Sequence, residues 1–280
     1  MMRQIQASYI RMIMPRLFIH LQRIFVAAIL VCLHSHAYAL DKLPSVFLES
    51  LTWMEVKAAI DDGYKTILIP TGGTEQNGAH MVLGKHNIIA RHTSERIAKQ
   101  LGYTLVAPVI AYVPEGNISP PEGHMEYAGT ISLRPEIFSA VLEDTARSFK
   151  QHGFTRICFI GDSGGNQETQ KQVTTKLNEE WDGSGVRVIH VSDYYSEKNG
   201  QDAWLKTQGY SDEEIKGHAA LSDTSELSNI DQSAIRPQLL SDKAENGSTG
   251  PSQNALPKVG MALLNMKIDA AVKQIQRESK

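Results

Sequence analysis

The stretch that decides the fold is PTGGTEQNGAHMVLGKHN, residues 70–87. It follows an apolar, largely β-branched run, Thr66 to Ile69, that reads as a buried strand. A strand closed by a glycine turn and followed by polar residues is the pattern of an α/β protein, in which ligands gather at the carboxyl ends of parallel strands. The polar residues after this strand therefore mark a site: one carboxylate, Glu75, two imidazoles, His80 and His86, and the carboxamides Gln76 and Asn77.

Working outward, strand-like and helical runs alternate. A helix is expected from Ile88 to Leu101, a strand over Thr104 to Val109, a helix over Pro135 to His152 and a strand over Arg156 to Ile160. A polar helix, Asn166 to Trp181, and a strand, Val186 to Val191, come next. Alternation at this spacing predicts βαβ units and a mainly parallel sheet. The pattern weakens from Ser192 to Gly217; Ser241 to Pro257 reads as a long surface loop, and Lys258 to Ile275 as a closing amphipathic helix.

The first 39 residues carry four arginines and no acid, then an apolar run, Ile24 to Leu33, then Ala37-Tyr38-Ala39. This is the composition of a secretory signal peptide cut after Ala39, with Met12 and Met14 as alternative starts. The run is shorter than the roughly 20 residues that span a bilayer, which disfavours a retained anchor. The expected organisation is a signal over residues 1–39 and one domain over 40–280, in a periplasmic or secreted protein. Removing the signal takes the net charge from −3 to about −7, which argues against nucleic acid and anionic membranes as partners. Of the two cysteines, Cys32 leaves with the signal and Cys158 lies in an apolar strand, so no intramolecular disulfide is expected.

Several groupings carry possible chemistry. Glu75 with His80 and His86 could hold a divalent metal, or Glu75 could cap a helix while the histidines hydrogen-bond. Gly161-Asp162-Ser163-Gly164-Gly165 matches G-x-S-x-G between a strand and a helix, the context of a nucleophile elbow. Ser163, Asp193 or Asp202, and His218 occur in the chain order of an α/β-hydrolase triad, although a glycine turn before a helix can equally bind an anion. His218 lies in a stretch of little apolar periodicity and could serve as a general acid or base. The segment Pro114 to Gly123, followed by His124, reads as a rigid loop over the site.

Together these pieces resemble one family. TEQNGAHMVLGKHN, GHMEYAGTISL, HGFTRICFIGDSGGN and GHAALSDTS follow the order and spacing of the creatininase family of amidohydrolases. The resemblance implies a three-layer α/β/α fold, assembly as a homo-oligomer, often a hexamer, and hydrolysis of a C–N bond in a cyclic or linear small-molecule amide with one or two divalent metals. The family's ligand positions map onto Glu75, Asn77, His86 and Ser163, and only the glutamate is unchanged. Because a neutral imidazole offers one lone pair, His86 cannot bridge two metals as the family's aspartate does. A single-ion set of Glu75, His86 and Asp162, with zinc first and manganese second, is therefore expected. His218 would shuttle the proton; His80 and His124 match family histidines; Gln76, Asn77 and Asn166 would orient substrate or water. A metal-free hydrolase using Ser163, and a catalytically silent small-ligand-binding protein, are the alternatives.

Overall fold

The computed structural model describes residues 43–279; the expected signal peptide and its alternative starts lie outside them. From Ser45 onward the chain packs as one unit around a four-stranded sheet of order β2-β1-β3-β4. The strands are β1 (Thr66–Thr71), β2 (Thr104–Val106), β3 (Arg156–Gly161) and β4 (Arg187–His190), and all three pairings are parallel.

Side chains of a strand alternate between the two faces of a sheet. One face here carries Leu68, Val106, Cys158, Ile160 and Ile189, packed against Ile97 and Ala98 of α2 (Lys85–Leu101) and Ile268, Ala271 and Ile275 of α8 (Pro257–Glu278). The other face buries Ile67, Ile69, Leu105, Ile157 and Phe159. It is covered by α3 (Pro135–Gln151) and α4 (Gln167–Glu180), whose inward stripes are Phe138, Leu142 and Ala146, and Val173 and Leu177. The result is the expected three-layer α/β/α arrangement. Burying both faces explains why the strands read as continuous apolar runs.

Local chemistry sets the element ends. Thr52 and Glu55 form a capping box on α1 (Trp53–Asp61), and Ser211 with Glu214 does the same for α6 (Asp212–Lys216). Pro135 and Pro257 open α3 and α8 at the first turn, where the missing N–H has no partner to lose. The region of weak pattern holds two short helices, α5 (Gln201–Thr207) and α6, and then α7 (Leu221–Ile230), which periodicity did not announce. Helix α2 starts at Lys85, one turn before the expected Ile88, so Lys85 and His86 point inward from a helix and are buried. Among the described residues no helix is long and apolar enough to cross a membrane. Cys158 is a free, fully buried thiol, and burial pushes its pKa up to about 12.

Candidate active site

The loops after β1, β2 and β3 meet the start of α2, the segment before α7 and the inner face of α8 around a cavity of about 650 Å³. This volume suits a small molecule. Glu75 comes from the loop after β1, Glu115 and His124 from the segment after β2, and Ser163 to Gly165 from the turn after β3. Close approach of backbones holds this rim together. A Cβ on Gly165 would lie 2.6 Å from the carbonyl oxygen of Pro114, so the Pro114 to Gly116 strap rests directly on the glycine turn.

Glu75 is the hub. Its Oε1 accepts from His86 Nε2 at 2.8 Å, and its Oε2 lies 3.2 Å from His124 Nε2. His218 Nδ1 stands 3.8 Å from Oε1. Glu75, His124 and His218 each offer a ligand atom, and these atoms lie within 4.8 Å of one another. One carboxylate oxygen and two imidazole nitrogens from three separate segments, facing a cavity, fit a divalent metal in donor type and spacing. The imidazole rings of His124 and His218 sit 4.5 Å apart.

Gln76 orders both rings. Its backbone carbonyl accepts from His218 Nε2 at 2.9 Å. Its side-chain amide nitrogen lies 2.9 Å from His124 Nδ1 and donates to the Gly247 carbonyl at 3.0 Å, while its Oε1 accepts from the Gly78 N–H at 2.9 Å.

Beside Glu75 lies a buried charge network, several of whose members also border the cavity. His86 Nδ1 donates to Asp162 Oδ2 at 2.9 Å, so both ring nitrogens face carboxylates and the ring is an imidazolium. Burial and Lys85 oppose that charge, but the hydrogen bonds to Asp162 and Glu75 prevail and raise the His86 pKa. Asp162 also accepts from Tyr194 Oη at 2.6 Å and Lys267 Nζ at 3.1 Å, and Lys267 reaches Glu226 at 2.8 Å. Lys85 pairs with Asp223 at 3.0 Å. Burial alone would raise the Glu75 carboxyl, yet His86 holds it well below the usual carboxylate range. Its neighbour Glu115 goes the other way. Burial first, and then the neighbouring carboxylate of Glu75, push its pKa up to about 10.

The expected ligand trio is therefore rearranged. Glu75 faces the cavity, but His86 has no free nitrogen, and Asp162 is engaged by His86, Tyr194 and Lys267. Both belong to the network behind the donor set. Ser163 lines the cavity, but its backbone is ordinary extended chain (φ −120°, ψ 150°), without the strained turn of a nucleophile elbow. Its expected triad is not assembled either. His218 turns to Gln76 and Glu75, and Asp193 pairs with Arg277 and Lys198.

The remaining expected residues divide. Gln76 and His124 sit at the donor set. His80 is buried and bonded to Thr224 at 2.8 Å, tying the loop after β1 to α7. Asn77 donates to the Glu75 carbonyl at 2.9 Å, and Asn166 donates to Thr71 Oγ1 at 2.7 Å and the Gly72 carbonyl at 2.9 Å. These three hold the loops in place and do not line the cavity. Glu115, Lys85 and Lys267 escaped the sequence reading. Lys267 had a signal: it falls on the apolar stripe of α8 with Leu263, Leu264 and Ala271, an i, i+4 register that places it inside.

The family model for creatininase, creatinine amidohydrolase, matches residues 49–275. The creatinine amidohydrolase of Pseudomonas putida is 29% identical over 116 residues, 41% of this chain and 44% of that protein. The chain thus spans less than half of that relative's length. A mycofactocin precursor peptide peptidase of Mycobacterium ulcerans is 27% identical over 205 residues, 70% of this chain and 69% of that one. Solved creatininase structures share the fold. One described as creatininase Mn and a mutant of Zn-Zn type each superpose with a TM-score of 0.69 at 21% identity. Both cover 84% of this chain, and 98% and 99% of their own. Four ordered motifs, the α/β/α sandwich and a match across residues 49–275 lead to one assignment: the chain belongs to the creatininase family.

Proposed function

We propose that this protein is a metal-dependent hydrolase that cleaves a C–N bond of a small-molecule amide. The observation that carries the reading is the convergence of Glu75, His124 and His218 on one cavity. Zinc or manganese would be held here by Glu75 and the histidine nitrogens left with a free lone pair, and when bound would activate water and polarise the amide carbonyl.

The chain's own groups supply the rest. Glu75 stays ionised because His86 sits behind it, so a negative ligand faces the cavity. Burial, then the charge of Lys85, lower the pKa of His218, which keeps its ring neutral at neutral pH with Nδ1 free. Glu115 lines the cavity beside Glu75 with a protonated carboxyl. It is placed to give its proton to the leaving nitrogen as the C–N bond breaks, and the carboxylate so formed then takes one back from the carboxylic acid product, which restores the starting state.

Elemental analysis of protein purified without chelator tests the reading. The expected result is about one equivalent of a divalent ion, lost in Glu75→Gln and His218→Ala, followed by hydrolysis of members of an amide panel. Less than about 0.2 equivalents in the unmodified protein overturns it. The proposal extends to an exported protein, cut after Ala39 and assembled as a homo-oligomer. It is supported by the N-terminal composition and the motif resemblance, and checked by N-terminal sequencing and light scattering.

A further inference from the structure

The two histidines beside Glu75 look alike in the chain but present opposite edges. For His218 the partner of Nε2 is a backbone carbonyl, which can only accept, so Nε2 carries the proton and Nδ1 turns a lone pair toward Glu75. For His124 the partner of Nδ1 is the amide nitrogen of Gln76. That nitrogen can only donate, and the amide cannot be flipped, since its oxygen already takes the Gly78 N–H and its nitrogen the Gly247 carbonyl. Nδ1 of His124 is therefore the acceptor, and the proton is on Nε2, the ring nitrogen on the Glu75 side, 3.2 Å from Oε2 and free to donate to a guest. One tautomer is fixed on both rings, and the rings turn different sides to the same carboxylate.

We infer that Gln76 is a positioning residue that gives the two histidines separate tasks: His218 offers a lone pair and His124 offers a hydrogen. A single residue does both, with its main chain on one ring and its side chain on the other. The inference rests on the metal reading above and sharpens it. Glu75 and His218 would hold an ion at this site, and His124 would be left as a hydrogen-bond donor beside it, available to the substrate's carbonyl oxygen. For His124 to become a third ligand, its proton must move to Nδ1, where it would meet the N–H of Gln76. The side chain of Gln76 thus excludes the three-ligand arrangement that the spacing alone would allow. A carboxylate at position 76 would admit it, because it could accept from Nδ1–H as the outer partners of metal-bound histidines do.

The test is nitrogen-15 spectroscopy on the full chain labelled at histidine, with His124→Asn and His218→Asn assigning the signals. In metal-free protein both rings are expected as the Nε2–H tautomer. On adding zinc chloride the His218 Nδ1 signal should move while the His124 ring keeps its Nε2 proton. In Gln76→Glu the His124 ring should switch to the Nδ1–H form and zinc affinity should tighten on the order of 10-fold. In Gln76→Leu, which can neither donate nor accept, no tightening is expected, which separates the tautomer effect from lost packing. A His124 ring found as Nδ1–H in the unmodified protein, or displaced from Nε2–H by zinc, overturns the inference. If zinc does not bind the unmodified protein, the metal reading fails, and the ring spectra still decide the role of Gln76. If Gln76→Glu does not fold, the spectra of the unmodified and Gln76→Leu proteins decide it.

Discussion

Glu75 has two sides, and they are built differently. On one side lies a buried ionic lattice, in which His86 links Glu75 to Asp162 and Lys267 links Asp162 to Glu226. On the other side lies the open part of the cavity, where His124 faces Oε2, His218 faces Oε1, and their side chains are 30% and 21% exposed. The same carboxylate is thus anchored on one side and available on the other. The difference teaches how a functional carboxylate can be buried without being neutralised: the interior supplies the permanent cation, and the cavity face is left for a guest.

The largest loss is expected at Lys267. Its ammonium is the shared counter-charge of Asp162 and Glu226. Removing one member of a buried ionic group leaves the others uncompensated, at a cost of about 3–5 kcal/mol. Lys267→Met is expected to lose stability of that order in chemical denaturation.

A paired measurement sharpens the comparison next. His86→Gln should cost on the order of 2–3 kcal/mol, because it removes a charged donor from two carboxylates, yet leave the ion stoichiometry at about one. His218→Ala should do the reverse, losing the ion while changing stability by no more than about 1 kcal/mol. If His86→Gln loses the ion and keeps its stability, the two sides of Glu75 are not distinct.

The smallest effect belongs to Glu115. Its folded pKa of about 10 lies above the unfolded value of about 4.3. Between these two values the unfolded chain releases a proton that the folded chain keeps, so this group lowers stability progressively as pH rises through that window. Glu115→Gln in metal-free protein should therefore gain stability over the unmodified protein at pH 8 and close to nothing at pH 4. Equal gains at both values would show that this retained proton is absent.

Much of this architecture was legible in advance. The apolar runs ending in glycine turns predicted the parallel sheet, since strands buried on both faces have no polar alternation to hide them. The site was legible as a set of residues but not as a set of contacts. Glu75, His124 and His218 were all candidates, whereas adjacency in the motif drew His86 and Asp162 into the ligand set. What adjacency could not reveal is which ring nitrogens were already occupied. That depends on Lys267 and Tyr194, 105 and 32 residues from Asp162. Likewise α7, with a mixed sequence and weak amphipathicity, is held by its packing against α8, a context no local window contains.

The placement of Lys267 on α8 couples two kinds of stability. Among the described residues Glu226 has no other cationic partner, so its counter-charge comes from α8 alone. The same helix covers one face of the sheet. Loosening α8 would therefore expose apolar core and strip two carboxylates of their shared cation together, which makes this helix a single fastening for both.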